Sequence, residues 1–286
     1  MSYNGEILPG PAPTRLRQIA LVAHDIDRAE SLLTSVLGTE VIFIDPGVAK
    51  WGLRNILVAI GGDVIEVVSP TKSGTTAGRF LSKRGDGGYM IIMQTMDADW
   101  RRAFIESKGL GKVIFSHRLP DSVCIQYHPK RIKGGMMPEL DSHRATPANP
   151  EPLASQFSQW HACGSDYASY SAGMRRCSHL HLVGIHCRLE PGDLDIEAAL
   201  NQWEEVFGVP RTRENLQFTN AWMSFVEGKE GASDGLVSIT IAVQGKQKLD
   251  RILSAARSFD LPHGDGWIDM LGLRWHFVLS NDAAKL

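Results

Sequence analysis

Cysteine is scarce: four residues, Cys124, Cys163, Cys177 and Cys187, stand in a chain of 286 with no C-x-x-C pair among them. That spacing fits neither a zinc knuckle nor a disulfide frame, so buried reduced thiols in a cytoplasmic protein are the expectation. Long apolar runs are also missing. No stretch approaches the roughly 18–20 residues that a membrane span needs. A dominant charge is absent as well, since 30 Lys and Arg oppose 32 Asp and Glu for a net charge of −2. Such a balance offers no field to attract a polyanion, which excludes nucleic acid as a first expectation. The opening MSYNGEILPGPAPTR has neither a basic n-region nor an apolar h-region. It reads as a flexible arm over residues 1–14, not as a secretory leader. A small molecule is the partner these absences leave, with the chain a monomer or homodimer.

What the sequence does contain is internal repetition. Arg17 to Val22 forms an apolar run of strand character, after which Ala29, Leu32, Leu33, Val36 and Leu37 fall at helical spacing up to Gly38. A second copy begins at Tyr89 with YMIIMQTM, followed by a short helix carrying Trp100, Ala103 and Phe104 and ending at Gly109. In both copies an Asp-x-Asp precedes the helix, where Asp can cap the free N–H groups of the first turn. Short β-rich runs follow each helix: VIFID, NILVAIG and DVIEVVS, then KVIFSH, SVCIQYH and GGMMPEL. Each unit therefore reads as βαβββ.

The stretch 142–176 breaks the rhythm with RATPANPEPLAS and the aromatic QFSQWHACGSDYASY, and reads as an inter-domain linker lying across the surface. HLHLVGIHC then resumes it, and helical spacing returns at Ile196–Val206 and Leu249–Ala256. The expected fold class is α+β: four βαβββ modules, paired into two curved-sheet domains at 15–141 and 177–286.

A tandem repeat demands that functional positions recur. Gln18 precedes Asp25 by seven residues and Met90 precedes Asp97 by seven, while Glu66 and Glu139 follow Gln18 and Met90 by 48 and 49. Each Glu lies in the last strand of its unit, within VIEVVS or MMPEL. A lone carboxylate in such a strand is expensive to desolvate unless it has a partner or a task. If the two units pair about a pseudo-twofold axis, Gln18, Glu66, Met90 and Glu139 converge in one concavity. If they do not, both glutamates face solvent from edge strands.

The run IALVAHDIDRAESLLTSVLG resembles the opening of the vicinal-oxygen-chelate superfamily, which includes glyoxalase I, bleomycin-resistance proteins, extradiol dioxygenases and methylmalonyl-CoA epimerase. VVSPTKSGTTAGRFLSKRGDGGYMIIMQTMD and IQYHPKRIKGGMMPEL are most similar to the epimerase branch. The resemblance covers about residues 15–141. It implies Gln18, Glu66 and Glu139 as ligands of a divalent metal, with Met90 where a histidine is usual. A thioether is a poor partner for hard ions. Two outcomes stay open: a metal held by the three residues and water, or a metal-free site in which Glu66 and Glu139 act alone and share a proton. Oxygen-activating ring cleavage is not expected, because Gln18 and Met90 replace both histidines of a facial triad. The epimerase branch also uses an acid on the loop after the first helix; the stretch here reads FIDPGVAKWGLR, in which Asp45 is the only carboxylate.

The function expected is that of a lyase or isomerase, in which Glu139 or Glu66 removes a proton next to a carbonyl bound to the metal. The alternative is a metal-free sequestering protein of the bleomycin-resistance type, with Trp51, Tyr89, Trp160 and Trp222 as candidate stacking surfaces. The resemblance brings Met90, His128 and Tyr89 to the substrate pocket, although His128, before Pro129, also suits a strand-end role. His179 and His181 share one strand face and His186 takes the other; together with His276 they could line a second cavity. The C-terminal half shows no partner placed like Glu66; Glu227 is the nearest and reads as a turn residue. Lys83, Arg84, Lys130, Arg131 and Lys133 read as a solvated basic face.

Overall fold

The first module runs β1 (Arg15–Val22), α1 (Ile26–Leu37), β2 (Val41–Phe43), β3 (Leu53–Ile60) and β4 (Asp63–Pro70). Asp25 caps α1 by accepting from the Arg28 N–H, and Gly38 closes it in the left-handed conformation at φ 68°. This computed structural model describes residues 10–280. Next come α2 (Thr76–Arg84) and a second module: β5 (Gly87–Gln94), α3 (Ala98–Ser107), β6 (Val113–Arg118), β7 (Ser122–Tyr127) and β8 (Met137–His143). Asp97 caps α3 as Asp25 caps α1, by accepting from the Trp100 N–H.

The eight strands form one curved sheet in the order β2-β3-β4-β1-β5-β8-β7-β6. In each module the first strand pairs in parallel with the last, β1 with β4 and β5 with β8. The modules join through the antiparallel pair β1–β5. That antiparallel seam is the pseudo-twofold relation the repeat demanded.

After the 3-10 turn His161–Cys163 and α4 (Tyr167–Arg176), the pattern resumes. The third module is β9 (Leu180–Arg188), α5 (Ile196–Phe207), β10 (Leu216–Gln217) and β11 (Trp222–Val226), one strand short of the others. The fourth is β12 (Gly235–Val243), α6 (Lys246–Ser258), β13 (His263–Gly264), β14 (Trp267–Met270) and β15 (Leu273–Leu279). Their seven strands run β10-β11-β9-β12-β15-β14-β13. The architecture is α+β: two curved sheets, each built from two consecutive modules of the βαβββ kind. No helix among the described residues is long and apolar enough to cross a membrane.

One apolar core serves both domains. Ile19, Leu21, Ile65 and Ile91 from the outer face of the first sheet meet Leu182, Ile185, Ile239 and Trp275 from the second, all fully or almost fully buried. Polar ties reinforce the junction. Asn220 accepts from the Leu16 N–H at 3.0 Å and donates to the Leu16 carbonyl at 3.0 Å, imitating a strand partner for β1. Arg84 pairs with Asp234 at 2.6 Å, and Lys133 pairs with Asp193. Two of the five basic residues read as a solvated face are therefore inter-domain ties.

Two segments differ from the sequence reading. Of the expected arm at 1–14, residues 1–9 lie outside the described residues. Residues 10–14 are docked: the Gly10 carbonyl accepts from Arg101 at 2.8 Å, and the Ala12 N–H donates to Gly208 at 2.9 Å. The stretch 142–176 does not merely cross the surface. It carries α4 and fully buries Trp160, with Tyr170 and Met174 almost as enclosed, against Ala20, Leu57, Ala59 and Ile92 of the inner sheet face. Arg15 and Arg17 hold it there by donating to the carbonyls of Ser155, Gln156 and Ser158 at 2.8–3.3 Å. Gly62 permits this approach, since a Cβ there would lie 1.9 Å from the Gln156 carbonyl oxygen. A Pro- and Ser-rich composition concealed an aromatic plug.

Candidate functional site

Strand register explains which side chains meet on the inner face of the first sheet. Ala20 lies opposite both Glu66 and Met90, and Ile92 opposite both Gln18 and Glu139. Residues in register share a face, so Gln18, Glu66, Met90 and Glu139 converge from four strands. Two β-bulges, between Leu16 and Gln18 and between Ala20 and Leu21, leave Arg17 and Tyr89 as unpaired extra residues. A bulge re-aims a side chain, and Tyr89 accordingly joins Met90 in the same cleft.

The cleft encloses about 560 Å³ and is lined by Glu66, Glu139, Gln126, Cys124, Tyr89 and Met90, among others. Trp51, from the 3-10 turn Pro46–Trp51, meets Phe115 of β6 edge to face at 5.6 Å, so each module contributes one ring to an aromatic wall. His128 is not part of it. That residue is exposed at the end of β7, and its Nδ1 accepts from the Lys130 N–H at 3.0 Å. The strand-end role is the one it has.

A relay of amide groups surrounds Glu66. Trp160 Nε1 donates to Gln18 Oε1 at 2.8 Å, which orients the Gln18 amide so that its Nε2 donates to Glu66 Oε2 at 2.8 Å. The Asp45 N–H donates to Asn55 Oδ1 at 2.9 Å, and Asn55 Nδ2 in turn donates to Glu66 Oε1 at 2.6 Å. Both carboxylate oxygens are thus held by donors whose own orientation is fixed. Burial outweighs those hydrogen bonds and the Glu66 carboxyl is pushed up to about 7, with a further upward contribution from Glu139. Glu139 is itself raised by burial, while Gln126 and Cys124 oppose the rise. Asp45, the one acid in the stretch FIDPGVAKWGLR, turns away to cap the Gly47 N–H at 2.7 Å.

The metal position that the resemblance implies does not fit this donor set. Gln18 presents its oxygen to Trp160 and its nitrogen to Glu66, and both oxygens of Glu66 accept amide donors. Met90 adds only a thioether. Glu139 is itself engaged by Gln126 and Cys124, which leaves too few free hard donors for a divalent ion.

One strand further along, a different group assembles. Cys124 lies opposite Asp141 in the β7–β8 pair, and His161 reaches them from the 3-10 turn; one ligand atom of each lies within 4.8 Å of the others. Asp141 is fully buried and neither of its oxygens meets a donor in hydrogen-bonding geometry. Burial, then Glu139, drives its carboxyl well above the usual range. Sequence reasoning missed Asn55, Gln126, Cys124, Asp141 and His161 as site residues. A signal was present for Asp141, which stands two residues after Glu139 on one strand and so shares its face.

The second sheet repeats the geometry without the chemistry. Its bulges fall at Val183 and Val237, and Gly184 pairs with Thr240 and His186 with Ser238 at the seam. Following the same register outward, Gly184, Ser224, Ser238 and His276 occupy the places of Gln18, Glu66, Met90 and Glu139. No carboxylate is among them. Trp222 covers Gly184 so closely that a Cβ there would lie 2.2 Å from its ring. His186 stays half-buried, its Nδ1 3.0 Å from Ser238 Oγ.

Comparison with known proteins places these observations. No family model matches the chain. Mitochondrial methylmalonyl-CoA epimerase of Mus musculus is 28% identical over 133 residues, covering 44% of this chain and 72% of the relative. The solved structure of a Streptomyces coelicolor methylmalonyl-CoA epimerase variant, in complex with 2-nitronate-propionyl-CoA, is 26% identical over 47% of this chain and 100% of its own, with a TM-score of 0.42. A hypothetical protein from Staphylococcus aureus matches over 93% of this chain and 99% of its own at 11% identity and a TM-score of 0.58. That last likeness extends the fold over nearly the whole molecule. The N-terminal half is similar to methylmalonyl-CoA epimerase, a vicinal-oxygen-chelate protein.

Proposed function

We propose that this chain is an isomerase or lyase that removes a proton next to a carbonyl in a small substrate, with Glu66 as the base. The observation that carries the reading is the Glu66 carboxyl, pushed up to about 7 in a cleft of about 560 Å³ and held by two oriented amide donors. A base whose pKa lies near the working pH combines availability of the ionised form with proton affinity. The Glu66 carboxylate takes the proton, the C–H electron pair becomes the carbon–carbon double bond of an enol, and the carbonyl π pair moves onto oxygen. Glu139, facing the same cleft from the other module, supplies the proton or hydrogen bond that this oxygen requires. Delivery of a proton to the opposite face of that carbon, or to a neighbouring carbon, completes an isomerisation, and loss of a β-substituent completes a lyase reaction.

Similarity to methylmalonyl-CoA epimerase supports an acyl compound with an acidic α-hydrogen. Asp45 caps its own loop, so the second acid of that branch is missing from the cleft, and the substrate class is the wider one of α-acidic carbonyl compounds. The test is deuterium uptake: the protein is incubated in D₂O with α-acidic thioesters and ketones, methylmalonyl-CoA included, and exchange is followed by NMR. Exchange that falls by about 10²–10⁴-fold in Glu66→Gln supports the reading. Exchange that persists at the wild-type rate in that variant overturns it.

The aromatic wall of Trp51 and Phe115 favours a second reading, ligand sequestration without chemistry. Tight binding of a planar apolar ligand, quenching Trp51 fluorescence, together with no exchange on any carbonyl compound, would select it.

A further inference from the structure

The cluster beside the cleft has the chemistry of a metal centre that the fold does not require. Asp141 is fully buried, and both of its oxygens lack a donor in hydrogen-bonding geometry. His161 turns Nε2 toward Asp141 Oδ2 at 3.6 Å, while its Nδ1 lies 3.2 Å from Nε2 of His143. With the imidazole proton on Nδ1 and donated to His143, the Nε2 lone pair faces a carboxylate oxygen. Cys124 Sγ closes the third side, against both Asp141 and Glu139. Metal-bound histidines commonly donate the second ring N–H to a neighbour in this way, which fixes the tautomer and the ring orientation.

We propose that Cys124, Asp141 and His161 hold a zinc ion, with the fourth position facing Glu139 and the cleft. Sulfur, nitrogen and oxygen donors together suit zinc in tetrahedral geometry and do not suit magnesium or calcium. Ligand atoms within 4.8 Å of one another close to the bonding distances of about 2.0–2.3 Å with shifts near an ångström. The centre is one strand removed from the position implied by the resemblance, and two of its ligands come from the sheet. The third comes from the segment that plugs it, so the ion fastens the 3-10 turn, and with it Trp160, onto β7 and β8. This inference does not depend on Glu66 acting as a base.

The experiment uses the full chain, stripped with a chelator and dialysed, then titrated with zinc by calorimetry and with cobalt(II) by absorption. One equivalent of zinc should bind and raise Tm by about 5 °C at a hundredfold excess over Kd. Cobalt should give the intense visible bands of a tetrahedral site and a thiolate charge-transfer band in the near ultraviolet. Cys124→Ser should abolish the thiolate band and His161→Gln should weaken binding at least tenfold, whereas Cys177→Ser should leave both unchanged. Circular dichroism establishes that each variant is folded before it is titrated. Absence of zinc heat and of any Tm shift in the folded chain overturns the proposal, as does a cobalt spectrum that Cys124→Ser does not alter.

Discussion

Trp160 donates its indole N–H to the side-chain oxygen of Gln18 at 2.8 Å, linking the plug segment to the first strand across 142 residues of chain. The bond sets which end of the Gln18 amide faces Glu66, and so couples the plug to the proposed base. Replacing Trp160 by Phe keeps most of the ring but orphans the Gln18 oxygen. A loss of about 1–3 kcal/mol is expected from that unpaired buried acceptor. Urea denaturation measures it, and deuterium exchange at pH 7 should fall in the same variant because the Gln18 amide is free to invert.

The pH dependence follows from the direction of the Glu66 shift. An ordinary glutamate titrates near 4.5, whereas this one is raised to about 7. Between those values the folded state binds more protons than the unfolded state, so stability falls as pH rises through that window and levels off above it. Activity runs the other way, because only the ionised form accepts a proton. The logarithm of kcat/KM should therefore rise with pH up to about 7 and fall again only where Glu139, itself raised by burial, ionises, while Tm declines as pH rises toward 7. In Glu66→Gln the decline of Tm should shrink; an unchanged slope would assign it to another group.

Asn55 lowers the Glu66 pKa by donating to its carboxylate. Asn55→Ala should move the midpoint of the pH–rate profile upward, beyond 7, with folding preserved in circular dichroism. A midpoint that moves downward would mean that Asn55 does not donate to the ionised form.

Arg17 is fully buried beneath the plug, its guanidinium lowered to about 9 mainly by desolvation. It lies 5.4 Å from the centre of the Trp160 ring and donates to the carbonyls of Gln156 and Ser158. Arg17→Met should leave the Ser158 carbonyl without its donor, with Arg15 still holding that of Gln156, cost about 1–3 kcal/mol and expose residues 150–158 to limited proteolysis ahead of global unfolding. Mass spectrometry of the first cleavage products reads the site directly.

In the second sheet, Gly184→Ala forces a methyl group against the Trp222 ring. Overpacking of this kind costs about 1–3 kcal/mol. The substitution should lower Tm while deuterium exchange per folded molecule stays at the wild-type level, since Glu66 and Glu139 belong to the other sheet.

The sequence by itself determined the modules and the face on which chemistry could occur. Apolar spacing placed α1, α3, α5 and α6, and the caps Asp25 and Asp97 marked where two of them begin. Periodicity does this because burial selects residues at the repeat of the element itself. The matched glutamates were legible for the same reason: an ionisable side chain inside an apolar strand has to be accounted for. The structure brings Gln18, Glu66, Met90 and Glu139 together through register alone.

Tertiary structure decided what those residues are able to do. Residues 144–166 carry no clean period, because their aromatic side chains are spaced to fill one groove; only in α4 do Tyr170 and Met174 recur at a helical repeat. Nothing local could show that Trp160 would reach Gln18, that Asp45 would turn to cap its own loop, or that His161 would arrive beside Cys124 and Asp141. Those contacts join residues distant in the chain, and they depend on desolvation and donor geometry that exist only after the plug has docked. Composition excluded a disulfide frame for the four cysteines, all of them buried and free; only packing singled out Cys124 from the other three.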